Sequence, residues 1–144
     1  MLKRKNLQSA FTRSLFDREL PEDWRLVPIG NALLGTEYGL SEPGDSKGNT
    51  PIVGMRDLNG GSVNLIDLAT VDDGGSDWTR MQLRRGDILL NRTNSADLVG
   101  KAGIVKEDSK AVFASYLVRL NVDREKADPE YVNYWLNTPI AQTH

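Results

Sequence analysis

Apolar positions recur along the chain with two different periods. Leu7, Ala10, Phe11, Ser14 and Leu15 share one face at helical spacing, with Lys, Arg and Gln between them. That spacing predicts an amphipathic helix over residues 6–18, inside an amino-terminal segment 1–19. Beyond it, short apolar runs bounded by turn-formers predict strands at 25–29, 51–56, 62–68, 88–90, 99–105, 112–113 and 116–122. Pro28 confines the first of these to a sheet edge or a strand end. Residues 30–34 are long enough for one helical turn, and Asn59-Gly60 supplies the positive φ angles of a tight hairpin turn before Gly61. "GLSEPGDSKGNT" at 39–50 and "TVDDGGSDWT" at 70–79 read as loops. Asp128-Pro129-Glu130 starts a helix with an N-cap, a proline at the first helical position and a carboxylate near the positive end. Tyr131, Tyr134 and Trp135 then form one aromatic face, and Thr138-Pro139 repeats the start signal. About seven strands flanked by helices make an α+β fold: a single domain with a curled, mainly antiparallel β-sheet.

Composition narrows the chemistry. The 144 residues suffice for one hydrophobic core. No run approaches the roughly 18–20 apolar residues that span a bilayer, and no continuous apolar stretch follows the basic start Met1-Leu2-Lys3-Arg4-Lys5, so a secretory leader is not expected. The chain has no cysteine and one histidine, His144. Thiol nucleophiles, His or Cys metal sites and histidine bases are therefore poorly supported, and a reducing cytoplasm fits. Core positions suit Trp24, Phe113 and Trp135, whereas Trp78 sits in a polar loop.

Net charge is −2, but the distribution is uneven: residues 80–106 carry six basic against two acidic side chains, and residues 21–79 carry three against ten. Overall acidity argues against a freestanding non-specific DNA binder, yet a local basic face remains open, because screening limits each contact to about 8–10 Å. A solvated surface is the bland alternative.

Candidate catalytic motifs are weak. "EPGDSKGNTP" lacks the Gly-Lys-Ser/Thr ending of a phosphate loop. Asp45-Ser46-Lys47 has the form of an acid-x-Lys nuclease site without a second acid on a rigid element. Asp72, Asp73 and Asp77 do not follow the alternating ligand spacing of a calcium loop and read as an acidic turn. No cofactor or metal site is expected.

"LRRGDILLNRTNSADLVGKAGIV", Leu83–Val105, is different. Its tip, Asn91-Arg92-Thr93-Asn94-Ser95, is almost entirely hydrogen-bonding side chains between two apolar runs. Arg pairs with guanine, Asn with adenine, and hydroxyls and amides with phosphate oxygens. An ordinary hairpin tip would carry the same pattern.

Four segments in order change that balance. "LPEDWRLVPIGNALLGTEYG" (20–39), "NTPIVGMRDLNGGSVN" (49–64), the 83–105 stretch with its "GDIL…VGKAGIV" core, and "VFASYLVRLNVDREKADPEYVNYWLNT" (112–138) resemble the target recognition domains of type I restriction-modification specificity subunits. The resemblance covers roughly residues 20–138. It implies a non-catalytic domain that reads one half of a bipartite double-stranded DNA target. The partners it implies are a methyltransferase (modification) subunit, which methylates adenine, and, through it, an ATP-dependent restriction subunit. Residues 139–144 would begin a truncated spacer helix. The chain lacks a glycine-rich methyl-donor motif and an Asn/Asp-Pro-Pro-Tyr/Phe motif, in line with a non-enzyme.

The expected function is thus sequence-specific reading of DNA by loops 41–50, 71–80 and 91–97. Arg92 and Asn94 are the candidates for base edges, with Asn91, Thr93 and Ser95 in support; Lys47, Arg80, Arg84, Arg85 and Lys101 are the candidates for phosphates. Leu89, Ile104, Leu117 and Val118 are expected in the core. The alternative is a protein-interaction or decoy module that does not itself read DNA, which the acidic 21–79 segment favours.

Overall fold

A computed structural model describes residues 21–41, 47–93 and 97–142. The helix expected at 6–18 lies outside these residues. The chain divides into two units, Met1–Asn31 and Ala32–His144.

In the described part of the first unit, 21–31, the backbone turns twice, with Trp24 N–H donating to Pro21 O (2.8 Å) and Asn31 N–H to Pro28 O (2.9 Å). The strand expected at 25–29 does not form. Pro28 offers no N–H to a ladder, and its fixed φ leads into the 3-10 turn Ile29–Ala32. Trp24, expected in the core, is 63% exposed.

The second unit is built from β1 (Leu33–Tyr38), β2 (Thr50–Val53), β3 (Leu58–Asn59), β4 (Ser62–Val63), β5 (Ala69–Val71), β6 (Ile88–Asn91), β7 (Ala102–Ile104), β8 (Val112–Phe113) and β9 (Leu117–Val122). Two helices follow, α1 (Pro129–Leu136) and α2 (Pro139–Gln142). The strands form two sheets, one ordered β1-β9-β6-β7-β4-β3 and the other β5-β2-β8. Pairing is mainly antiparallel, and the exceptions are β2 with β8 and β4 with β7. The α+β class with a curled, mainly antiparallel β-structure therefore holds, with the β-structure split into two sheets.

Strand alternation explains the layers. In β9, Leu117 and Arg119 face the second sheet, while Val118, Leu120 and Val122 face α1. Leu89 and Leu117 join Val53, Leu83, Val105 and Phe113 between the sheets. Ile88, Ile104 and Leu120 join Val132 and Leu136 of α1 on the opposite side. Full burial of a residue such as Leu89 or Phe113 stabilises by about 1.5–3 kcal/mol. Of the expected core residues, Leu89, Ile104, Leu117 and Phe113 are buried; Val118 is half-buried, and Trp135 is 38% exposed.

The β3–β4 hairpin is as predicted, although Gly60 and Gly61, at φ 57° and 76°, supply the positive angles rather than Asn59. The strand expected at 62–68 is shorter, because the chain leaves the first sheet after Val63 and returns as β5 in the second. Helix α1 starts where the sequence placed it: the Asp128 carboxylate accepts from the N–H groups of Glu130 (2.8 Å) and Tyr131 (3.1 Å). Asn133 Nδ2 donates to Gly61 O (2.7 Å) and Asn137 Nδ2 to Ala102 O (3.2 Å), tying the helix to the hairpin and to β7. Among the described residues, no helix is long and apolar enough to cross a membrane.

Candidate nucleic-acid interface

The turn before β6 is built around Asp87. Its carboxylate accepts from Arg84 N–H (2.8 Å), its N–H donates to Arg84 O (3.0 Å), and its carbonyl accepts from Val105 N–H (2.9 Å). Gly86 sits at φ 93°, and a side chain there would run into Arg124 Nη2, which donates to Arg85 O (2.8 Å). The Gly-Asp pair of the 83–105 stretch is thus a structural turn that draws Arg124 from 39 residues away to the two arginines before it.

Arg119, in the middle of β9, is 8% exposed and holds this region together. It is ion-paired with Glu37 and Asp87 (3.3 Å to the latter), and its guanidinium donates to the carbonyls of Gln82 (3.1 Å) and Arg80 (3.0 Å). It also lies 5.2 Å from the centre of the Phe113 ring. Burial pushes the Asp87 carboxyl above its ordinary range, opposed by the Arg84 N–H and the Arg119 charge. The result is a cleft of about 430 Å³ lined by Arg80, Arg84, Arg85, Arg119 and Arg124 together with Glu37 and Asp87. Both carboxylates are engaged by Arg119, so the exposed guanidiniums of Arg80, Arg84, Arg85 and Arg124 set the sign of its rim. Asp108 lies 3.9 Å from Arg84 in an exposed pair of little strength.

At the other end of β6 lies the polar tip. Asn91 is 1% exposed: its amide donates to Leu98 O (2.9 Å), and its oxygen accepts from Thr93 N (3.3 Å) and Thr93 Oγ1 (3.2 Å). The expectation that Asn91 meets DNA needs correcting, since its side chain is buried and holds the two arms of the tip together. Its backbone does the same, accepting from Gly100 N–H (2.8 Å) and donating to Lys101 O (2.9 Å). Arg92 is exposed; its guanidinium lies over the Tyr38 ring at 4.7 Å and its N–H donates to Tyr116 O (3.1 Å). Thr93 is half-buried and Lys101 exposed. Asn94 and Ser95 lie outside the described residues.

The structure therefore sorts the predicted residues into two groups. Arg92, Thr93 and Lys101 stand at one end of β6, and Arg84 and Arg85 at the other, with Arg80 held against the sheet by Arg119. Lys47 precedes β2, beside Gly48, which is set against the backbone of Val71 and Asp72. The 71–80 loop is folded by its acids. Asp72 and Asp73 cap Gly74 N–H (2.9 Å) and Gly75 N–H (2.8 Å), and Asp77 accepts from Thr79 N–H (3.0 Å) and Oγ1 (2.6 Å), which lowers its pKa. Among the described residues no acid or histidine cluster has the make-up of a metal site. Trp78, half-buried, packs beside Ile52, Val71 and Val112 rather than offering a stacking face. Sequence reasoning missed Arg119, Arg124 and Tyr38; an arginine at an inward position of an apolar strand, as in Leu117-Val118-Arg119-Leu120, was the available signal for the first.

No family model matches the chain. It is 28% identical over 130 residues to the EcoBI type I restriction enzyme specificity subunit of Escherichia coli, covering 86% of this chain and 27% of that protein. It is 26% identical over 121 residues to the putative MjaX specificity subunit of Methanocaldococcus jannaschii, covering 82% and 28%. Among solved structures, a chain of a type I restriction-modification system superposes with TM-score 0.58 at 18% identity, covering 92% of this chain and 32% of that one. The HsdS subunit of Thermoanaerobacter tengcongensis superposes with TM-score 0.55 at 17% identity, covering 96% and 34%. The chain thus spans about a quarter of the curated relatives it matches and a third of the solved ones. It is similar in sequence to part of the type I restriction enzyme specificity subunits, and it shares the fold of the solved chains over the length it covers.

Proposed function

We propose that this chain is a non-catalytic reader of double-stranded DNA, recognising one half of a bipartite target for a type I restriction-modification complex. The observation that carries the reading is the exposed Arg92, set at a strand end on a tip whose backbone is fastened by the buried Asn91. A guanidinium on such a mount matches the O6 and N7 acceptors of guanine in the major groove. Lys101 and the arginines of the cleft supply contacts to phosphates, which position a duplex without reading it. Catalysis is left to a methyltransferase subunit, and cleavage to an ATP-dependent subunit reached through it.

The test is co-expression of the full-length gene product with its modification subunit, followed by mapping of methylated adenines. A defined split motif is expected, and Arg92→Ala should relax one base pair of one half-site, by about 1–3 kcal/mol of discrimination. Absence of any motif, or a motif indifferent to Arg92, refutes the reading. One observation favours a protein-docking role as a second reading: Tyr131, Tyr134 and Trp135 of α1 are exposed aromatic residues. A complex that assembles stably yet methylates nothing would support it.

A further inference from the structure

We propose that Tyr38 is the positioning residue for Arg92: its ring holds the guanidinium in one orientation, so that specificity at one base pair depends on a side chain that touches no base. This rests on the proposal that Arg92 reads DNA and goes beyond it.

An exposed arginine loses much rotamer freedom when it must present a planar fork to one base, and any device that orders it beforehand improves discrimination. Arg92 has such a device. Its Cζ lies 4.7 Å from the centre of the Tyr38 ring, and its Nη2 is 3.5 Å from Ser115 O, the outer limit of a hydrogen bond. The stack is a consequence of topology. Tyr38, the last residue of β1, pairs with Val118 of β9, which in turn pairs with Leu90 of β6, so Tyr38 and Leu90 share a sheet face. Arg92, two residues beyond Leu90, returns to that face.

The platform is also stiff. Immediately after Tyr38 the chain is pinned to the second sheet: Leu40 N–H donates to Phe113 O (2.8 Å), and Leu40 O accepts from Ser115 N–H (2.8 Å). On the other side, Arg92 N–H is fixed by Tyr116 O (3.1 Å). Ring and guanidinium are therefore mounted on backbones that both bond to residues 113–116. Tyr38 is 62% exposed, so packing alone gives little reason for an aromatic there.

The experiment compares Tyr38→Ala, Tyr38→Phe and Arg92→Ala in the full-length subunit co-expressed with its modification subunit, reading each position of the methylated motif. Thermal melting of each variant checks that the fold is retained. Tyr38→Ala should reduce discrimination by roughly 3- to 30-fold at the one position that Arg92→Ala relaxes, leaving the others intact, and Tyr38→Phe should restore it. If Arg92→Ala relaxes the motif while Tyr38→Ala leaves every position unchanged, or relaxes all of them alike, the positioning role of Tyr38 is wrong and the reading by Arg92 stands. If Arg92→Ala changes nothing, both fall.

Discussion

Replacing Arg119 by methionine should be among the most destabilising single changes available to this fold. The guanidinium is almost wholly buried and bonds two carboxylates and two carbonyls. Methionine keeps the packing against Phe113 but leaves the Asp87 carboxylate, whose side chain is 13% exposed, without its cationic partner. It also strips the carbonyls of Gln82 and Arg80 of a donor. Glu37, half-exposed, turns to water and adds little. Breaking one side of a buried pair costs about 3–5 kcal/mol. At roughly 3–4 °C per kcal/mol for a domain near this size, the midpoint should fall by about 10–20 °C. Urea unfolding and thermal melting measure the loss. The deciding comparison is the double variant Arg119→Met with Asp87→Asn, which removes both charges and should recover at least a third of the single variant's loss. A double variant no more stable than Arg119→Met alone would show that an unpaired buried carboxylate is not the cause.

Three further outcomes follow from the same geometry. Asn91→Ala leaves Leu98 O and Thr93 N–H without their partner and should cost about 2–4 kcal/mol in urea unfolding, whereas Asn91→Asp, which keeps the acceptor and loses the donor, should speed amide exchange at residues 97–100 more than at β9. Neutralising Arg84, Arg85 and Arg124 together should weaken binding to all duplexes alike and flatten the dependence of affinity on salt by up to about three units of slope, Lys101→Gln adding about one, with the methylated motif unchanged. Because burial raises the Asp87 pKa, the folded state binds that proton more tightly than the unfolded chain does. Its contribution should therefore make stability fall as pH rises from about 3.9 through the higher folded value, and Asp87→Asn should remove that slope from denaturation curves taken across pH 3–6.

What could be read from the sequence was local. Asp128-Pro129 specifies a helix start through its own side chain and ring, and the Asn59-Gly60-Gly61 stretch marks a hairpin, so both elements were legible, although the positive φ angles fall at Gly60 and Gly61 rather than at Asn59 and Gly60. The split into two sheets was not, because Ile52, Val71 and Val112 carry the same apolar signature whichever sheet they join. Strand β1 was missed for a related reason: Leu34 through Tyr38 are all exposed and only Leu33 is drawn into the core, so the run shows no buried alternation. At the candidate interface the tip was visible as a polar cluster, but the division of labour within it depends on contacts. Asn91 and Arg92 are neighbours with similar polarity, and strand alternation turns one into the core and the other into solvent. Arg124 reaches its site across 39 residues, and no local pattern encodes that.

The separation of the two basic groups constrains how a duplex can lie on this chain. Strand β6 itself covers roughly 10 Å, and Arg84 and Arg85 on the preceding turn and Arg92 on the tip lie beyond its two ends. The major groove of B-DNA is about 12 Å wide. A tip seated in the groove therefore places the Arg84, Arg85 and Arg124 end beyond the groove's wall, where phosphates and not base edges are met. On the proposed function, reading and holding would then fall to opposite ends of one short strand, in a sheet whose central pairings, Leu89 with Arg119 and Arg119 with Glu37, carry the Arg119 that pairs with the buried Asp87. A loosened Arg119 would let the two ends shift relative to each other. In a complex still folded at low temperature, that variant should lose affinity and specificity together, whereas Arg92→Ala costs specificity and the cleft arginines cost affinity.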